Sequence, residues 1–138
     1  MADSPGILVD SSVWVKFFRT GRAPEAIHLE GLIQAAAVKT CAPVRAEVLS
    51  GAPTLKERTR LRELFDAVDL LELPVDIWER VEEARFHLAR KGRQTSLVDL
   101  MIAATALAHE APLWTLDDDF VPIRDALPFP RYLPELSR

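Results

Sequence analysis

The residues in this sequence best suited to chemistry are carboxylates. Asp10 ends the apolar run Gly6-Ile7-Leu8-Val9, and Asp117 ends a second run of the same form, Leu113-Trp114-Thr115-Leu116. Short continuous apolar runs suit strands buried on both faces. In an open parallel sheet, ligands bind in the crevice beyond the carboxyl ends of such strands, so these two acids can share one crevice. The alternative is that each is a turn residue or helix N-cap, Asp10 leading into the Trp14 helix and Asp117 into Asp118-Asp119-Phe120. Asp99 is surrounded on nearly every face of its helix by apolar side chains, among them Leu100, Ile102, Ala103 and Ala106. A carboxylate inside a protein costs several kcal/mol unless it is paired, hydrogen-bonded or bound to metal. Its structural alternative is a capping box, with Ser96 as N-cap and Asp99 as the third helical residue. Glu47 lies in a short helix after a candidate second strand, where a single acid reads as an ordinary exposed residue. Gathered together, four carboxylates repel one another and raise their pKa values; Mg²⁺ or Mn²⁺ removes that penalty and prefers oxygen ligands.

Such a gathering needs elements that bring distant positions to one place. Apolar runs predict strands over 6–10 and 113–117, with a plausible third over 38–42 and a weaker fourth over 68–73. Helical patterns cover 12–19, 24–36, 43–50, 54–67, 75–91 and 97–110. Strands alternating with helices predict an α/β fold, an α/β/α sandwich with a central, mainly parallel sheet surrounded by helices. Pro24 and Pro43 fit first helical turns, where the missing N–H has no intrahelical partner, and Gly51 and Gly92 fit left-handed helix ends. The Glu82-Glu83 pair and the cluster from Lys56 to Arg62 read as solvated helix faces.

The chain has 138 residues, 49% of them hydrophobic and 28% charged. That length predicts one domain over 1–138, burying roughly 65–70% of its unfolded surface. No internal repeat or linker-like tract interrupts it. The longest apolar stretch is far below the ~20 residues of a membrane span, and residues 1–4 lack the basic start and apolar run of a signal peptide, so a cytoplasmic location is expected. Cys41 is the single cysteine, which excludes an intramolecular disulfide framework and a multi-thiolate zinc site; it reads as a small buried side chain. The net charge of −4 argues against binding nucleic acid by bulk positive potential alone. Four acids committed to divalent cations would account for the whole deficit.

In order along the chain, Leu8-Val9-Asp10-Ser11-Ser12-Val13-Trp14, Glu47-Val48-Leu49-Ser50-Gly51, Asp99-Leu100-Met101-Ile102-Ala103-Ala104-Thr105-Ala106 and Thr115-Leu116-Asp117-Asp118-Asp119-Phe120 resemble the motifs of PIN-domain ribonucleases. The likeness is greatest to the VapC-like toxins of VapBC toxin–antitoxin pairs, and it spans nearly the whole chain. The resemblance implies that Asp10, Glu47, Asp99 and Asp117 hold Mg²⁺ or Mn²⁺ and carry catalysis. Asp119 would be an auxiliary ligand, and Ser12 and Thr115 would orient the site. It further implies a growth-inhibiting endoribonuclease in which metal-activated water attacks a phosphodiester in line, leaving a 5′-phosphate and a 3′-hydroxyl. The implied partners are an RNA substrate, a VapB-like antitoxin whose C-terminal segment covers the groove, and a second copy in a homodimer. The segment between Ala52 and Lys91 carries little of this signal.

Other features compete. Lys16, Arg19, Arg45, Arg90, Lys91 and Arg93 are candidates to hold an RNA backbone, although Arg90-Lys91-Gly92 is also what a helix C-terminus favours. Trp14, Trp78 and Trp114 offer stacking surfaces, but a single tryptophan on an apolar helix or strand is more often a core or interface residue. His28, His87 and His109 show no metal-ligand or triad spacing. A dehalogenase-type phosphatase needs a second Asp two residues after the first, where Ser12 stands, and a receiver domain needs paired acids where Val9-Asp10 stands. A protein-binding module whose acids only cap helices remains the non-enzymatic alternative.

Overall fold

Two apolar runs and two mixed segments become the strands of a single sheet. A computed structural model describes residues 6–136; the leader-free reading of residues 1–4 and the two ends of the span 1–138 lie outside the described residues. The strands are β1 (Ile7–Val9), β2 (Val38–Thr40), β3 (Asp69–Leu70) and β4 (Leu113–Trp114), in the order β3-β2-β1-β4. Every pair is parallel, with Ile7 opposite Val38, Leu8 opposite Leu113 and Lys39 opposite Asp69. The strands are shorter than the apolar runs because the chain turns as soon as its backbone leaves the ladder: Ala42 already belongs to a helix, and 115–117 form a loop. A further parallel bridge joins Leu113 to Arg131. Pro128 and Pro130 hide that extension from a sequence reading, since proline breaks the strand pattern.

The helices are α1 (Ser11–Arg19), α2 (Pro24–Gln34), α3 (Ala42–Ser50), α4 (Leu55–Asp66), α5 (Ile77–Arg90) and α6 (Leu97–His109), followed by two short 3₁₀ turns at Asp118–Phe120 and Pro122–Asp125. The chain steps from β1 to β2 to β3 in one direction and then returns to place β4 on the other side of β1. With right-handed crossovers, α1–α4 cover one face and α5–α6 the other, which gives the expected α/β/α layering. The reversal also makes the gap between β1 and β4 a topological switch point, where the crevice of an α/β sheet opens.

Helix boundaries follow local chemistry. Asp10 caps α1, Thr54 caps α4 and Ser96 caps α6, each accepting a backbone N–H of the first turn. Pro24 and Pro43 occupy first turns as expected. Gly92 takes the left-handed conformation at φ 76°, but Gly51 does not, with φ −85°. The left-handed closures after α2 and α6 fall instead on Ala36 and Glu110, at φ 56° and 53°. Neither position carries a glycine signal, so each accepts a modest strain that tertiary packing over-determines.

The core is formed by Leu8, Val9, Leu100, Ile102 and Leu113, with Trp14 against Phe65 at 4.7 Å between ring centroids. Trp14 and Trp114 are buried, whereas Trp78 is exposed. Cys41 is fully buried behind the sheet edge, and burial together with the nearby Asp10 and Glu47 charges pushes its thiol up to about 12, leaving it an unreactive packing group. His28 bonds the Tyr132 hydroxyl at 2.6 Å and His109 the Glu72 carbonyl at 2.7 Å, so both are structural. Among the described residues no helix is long and apolar enough to cross a membrane.

Candidate active site

Asp10 is the anchor of the crevice. It follows β1 directly, its backbone N–H bonds the Trp114 carbonyl of β4 at 2.9 Å, and only 2% of it is exposed. Its Oδ2 accepts three donors: the Ser12 hydroxyl at 2.7 Å, the Thr115 hydroxyl at 2.8 Å and the Ser12 N–H at 3.4 Å. The N-cap role is therefore real, and it is compatible with a functional one: these three donors converge on Oδ2, while Oδ1 takes a longer contact from the Ser11 hydroxyl at 3.4 Å. Ser12 Oγ in turn accepts the Leu116 N–H at 3.0 Å, and Thr115 Oγ1 accepts the Asp117 N–H at 3.0 Å. One hydroxyl from α1 and one from the loop after β4 thus tie the two strand ends together. Buried hydrogen bonds to a carboxylate are among the stronger ones, at roughly 1.5–3 kcal/mol.

Glu47 reaches the same place from the middle of α3. Ser11 Oγ donates to Glu47 Oε1 at 3.1 Å and lies 3.4 Å from Asp10 Oδ1, making Ser11 the link between two carboxylates. Sequence reasoning passed over Ser11; the Asp-Ser-Ser run, with two hydroxyls beside a strand-end acid, is the signal that points to it. The Glu47 carboxyl lies above its usual value because of partial burial, opposed by the Ser11 bond and reinforced by the Asp10 and Asp117 charges.

Asp99 enters from the first turn of α6. Its N–H donates to Ser96 Oγ at 3.0 Å, so half of the capping box forms. Burial, then the charges of Asp10 and Asp117, push its carboxyl up from 3.8 to about 6, against a lowering contact with Ser96. A carboxylate that serves only as a cap is expected to move the other way, because the positive helix end favours its charge. Asp117 follows β4, and its Oδ1 accepts the Asp119 N–H at 2.9 Å, which turns the chain so that Asp119 faces back toward the crevice.

The tightest group of ligand atoms consists of Asp99, Asp117 and Asp119, one oxygen from each within 4.8 Å of the others. Asp119, the auxiliary residue of the sequence reading, is thus a full member of the closest triad. Asp10 and Glu47 stand just outside it, near enough for their charges to act on Asp99. All five donors are hard carboxylate oxygens with no nitrogen or sulfur among them, the donor set that suits Mg²⁺ or Mn²⁺.

The basic candidates divide. Lys16 is paired with Glu25 at 3.2 Å and Arg45 with Asp66 at 2.5 Å, which removes their charges from easy contact with a polyanion. Arg90 stacks over the Phe86 ring at 5.1 Å. Arg93 lies beside Ser96, in a cleft that it shares with Arg85.

The PIN domain family model matches residues 7–125. Ribonuclease VapC11 of Mycobacterium tuberculosis is 33% identical over 118 residues, covering 83% of this chain and 88% of that protein. Ribonuclease VapC5 of the same organism is 35% identical over 124 residues, covering 86% and 88%. In three dimensions the chain resembles VapBC2 from Rickettsia felis, solved bound to a promoter DNA fragment, with a TM-score of 0.70 at 21% identity over 85% of this chain and 92% of that one. With four motif acids meeting at the switch point of such a sheet, the chain belongs to the PIN-domain family, among the relatives of the VapC proteins.

Proposed function

We propose that this protein is a metal-dependent endoribonuclease acting as the toxin of a type II toxin–antitoxin pair. The observation that carries the reading is the convergence of Asp10, Glu47, Asp99 and Asp117, from four separate elements, with Asp119 beside them. Carboxylates placed so close cost the fold stability, and a cation that neutralises them accounts for their being there. A module whose acids only cap helices leaves the raised Asp99 carboxyl without a purpose.

Asp10, Glu47, Asp99, Asp117 and Asp119 would hold Mg²⁺ or Mn²⁺. When bound, the ion supplies the positive charge that stabilises a phosphodiester under attack and makes water acidic enough to act as nucleophile. The chain's own residues fix the geometry. Ser12 and Thr115 lock Asp10, Ser11 sets the distance between Asp10 and Glu47, and the Asp117–Asp119 turn holds the outer acids. No side-chain nucleophile is needed.

The names of its relatives support RNA as substrate, and a similar structure solved as a toxin–antitoxin complex from Klebsiella pneumoniae, 25% identical, supports a VapB-like antitoxin as partner. A basic peptide suits such an acidic crevice. A homodimer and a cytoplasmic site of action complete the proposal. The test is expression of the chain alone beside Asp10→Asn. Wild type is expected to inhibit bacterial growth and cleave RNA with Mg²⁺ or Mn²⁺, and a folded Asp10→Asn protein to do neither. Equal toxicity and cleavage by that variant would overturn the assignment.

A further inference from the structure

Beside the carboxylate cluster the surface changes sign. A cleft of about 520 Å³ is lined by Arg85 and Ala89 of α5, by Arg93, Gln94 and Thr95 of the loop after it, and by Ser96, the N-cap of α6. Its lining holds two guanidiniums and no acid. Among the described residues neither arginine is in an ion pair, as is also true of Arg58 and Arg62 on α4; what sets Arg85 and Arg93 apart is that they share one cleft with no carboxylate in its lining. An unpaired pair of arginines on a chain of net charge −4 is a local excess that folding does not require. The Thr95 hydroxyl is buried without a hydrogen-bond partner, so its rotation toward an incoming oxyanion breaks no existing bond. Guanidinium forks match phosphate oxygens in geometry as well as charge.

The position matters as much as the composition. Ser96 lies one helical turn before Asp99, a rise of about 4.5 Å. The positive end of α6 adds to the same field.

We propose that the Arg85–Arg93 cleft is a backbone subsite that takes an RNA phosphate adjacent to the one cleaved, and so sets which phosphodiester reaches the carboxylates. The proposal rests on the ribonuclease reading above. It assigns Arg85, on the segment with little family signal, a substrate role, and gives Arg93 a specific ligand.

The double variant Arg85→Gln/Arg93→Gln tests it, with Arg58→Gln/Arg62→Gln on α4 as a charge-matched control. Binding of a labelled single-stranded RNA is followed as a function of salt with EDTA present, so that cleavage does not interfere. Steady-state cleavage is then measured with Mn²⁺. The cleft variant is expected to lower the slope of log K against log[salt] by about 0.7, the value for one phosphate on a single strand. KM should rise about tenfold with kcat nearly unchanged, and a substrate too short to reach the cleft should be cleaved equally by both proteins. An unaltered Mn²⁺-induced melting shift shows that the carboxylate site is intact. If wild type cleaves RNA but the cleft variant keeps its salt slope and KM, the subsite is overturned and the nuclease reading stands. Lost affinity for a cognate antitoxin with unchanged RNA binding overturns it too, by assigning the arginines to a protein partner. If wild type neither binds nor cleaves RNA, the nuclease reading fails, and the subsite with it.

Discussion

Replacing Asp99 by Asn separates a metal-site carboxylate from a helix cap, because the two roles predict opposite effects on stability without metal. The carboxyl is raised from 3.8 to about 6 in the folded chain, chiefly by burial and then by Asp10 and Asp117. A raised folded-state value means that stability is fully present below pH 3.8 and is lost as pH rises through about 6. Fully shielded from water, that gap would correspond to about 3 kcal/mol. Asp99 is only half-buried, and solvent screening reduces the figure to about 1–1.5 kcal/mol. Asn also forgoes a favourable interaction with the α6 N-terminus worth about 0.3–1 kcal/mol. In EDTA at pH 7.5, Asp99→Asn should therefore be at least as stable as wild type, by up to about 1 kcal/mol, a rise of as much as roughly 4 °C in Tm for a domain of this size. At pH 4 the difference should vanish or reverse. Mn²⁺ at about 100 times its Kd should stabilise wild type by roughly 2.7 kcal/mol through linkage, and the same concentration should stabilise the variant far less. Thermal melts at both pH values, with EDTA and with Mn²⁺, measure all four quantities. A variant that is less stable at pH 7.5 without metal yet keeps the full Mn²⁺ shift would show that Asp99 is a cap and nothing more.

Two other predictions follow from the hydroxyls and the ion pairs. Ser11→Ala removes the bond that holds Glu47 and lowers its carboxyl, so the acid limb of the pH–rate profile should move toward neutral pH and cleavage should fall about fivefold at pH 7, the equivalent of about 1 kcal/mol; an unchanged profile would deny Ser11 a positioning role. Arg45→Ala breaks an exposed pair with Asp66 and should cost under about 1 kcal/mol in a denaturant titration, with the salt slope of RNA binding unaltered; a lower slope would return Arg45 to the substrate contacts.

The sheet and its layers were legible because β1 and β4 are continuous apolar runs and β2, with Lys39 and Thr40 in it, lies between two helical patterns. β3 was weak for a physical reason: Asp69 and Leu70 are both exposed at the sheet edge, so burial leaves no periodic mark on them. Gly51 misled because glycine permits a left-handed helix end without requiring one, while Glu110 adopts that conformation under packing that no local residue announces. The carboxylates were legible singly as strand-end or buried-helix acids. Their relative closeness was not, since it depends on side-chain reach: the Asp117–Asp119 hydrogen bond brings Asp119 into the triad with Asp99, a detail of one loop conformation.

The capping and functional roles that compete on sequence grounds prove to be one arrangement. Asp10 caps α1 with Oδ2, and the hydroxyls that complete that cap also fix the strand ends of the crevice. Ser96 caps α6, and the same turn sets Asp99 beside Asp117. Helix N-termini are where a fold can tolerate concentrated carboxylates at least cost, because backbone donors and the helix field offset part of their repulsion. With Asp10, Asp99 and Asp117 at helix starts and Glu47, from the middle of α3, held by Ser11, the site keeps its geometry before any cation arrives. Burial and mutual repulsion still leave the Asp99 and Glu47 carboxyls raised, and a divalent ion would relieve that repulsion.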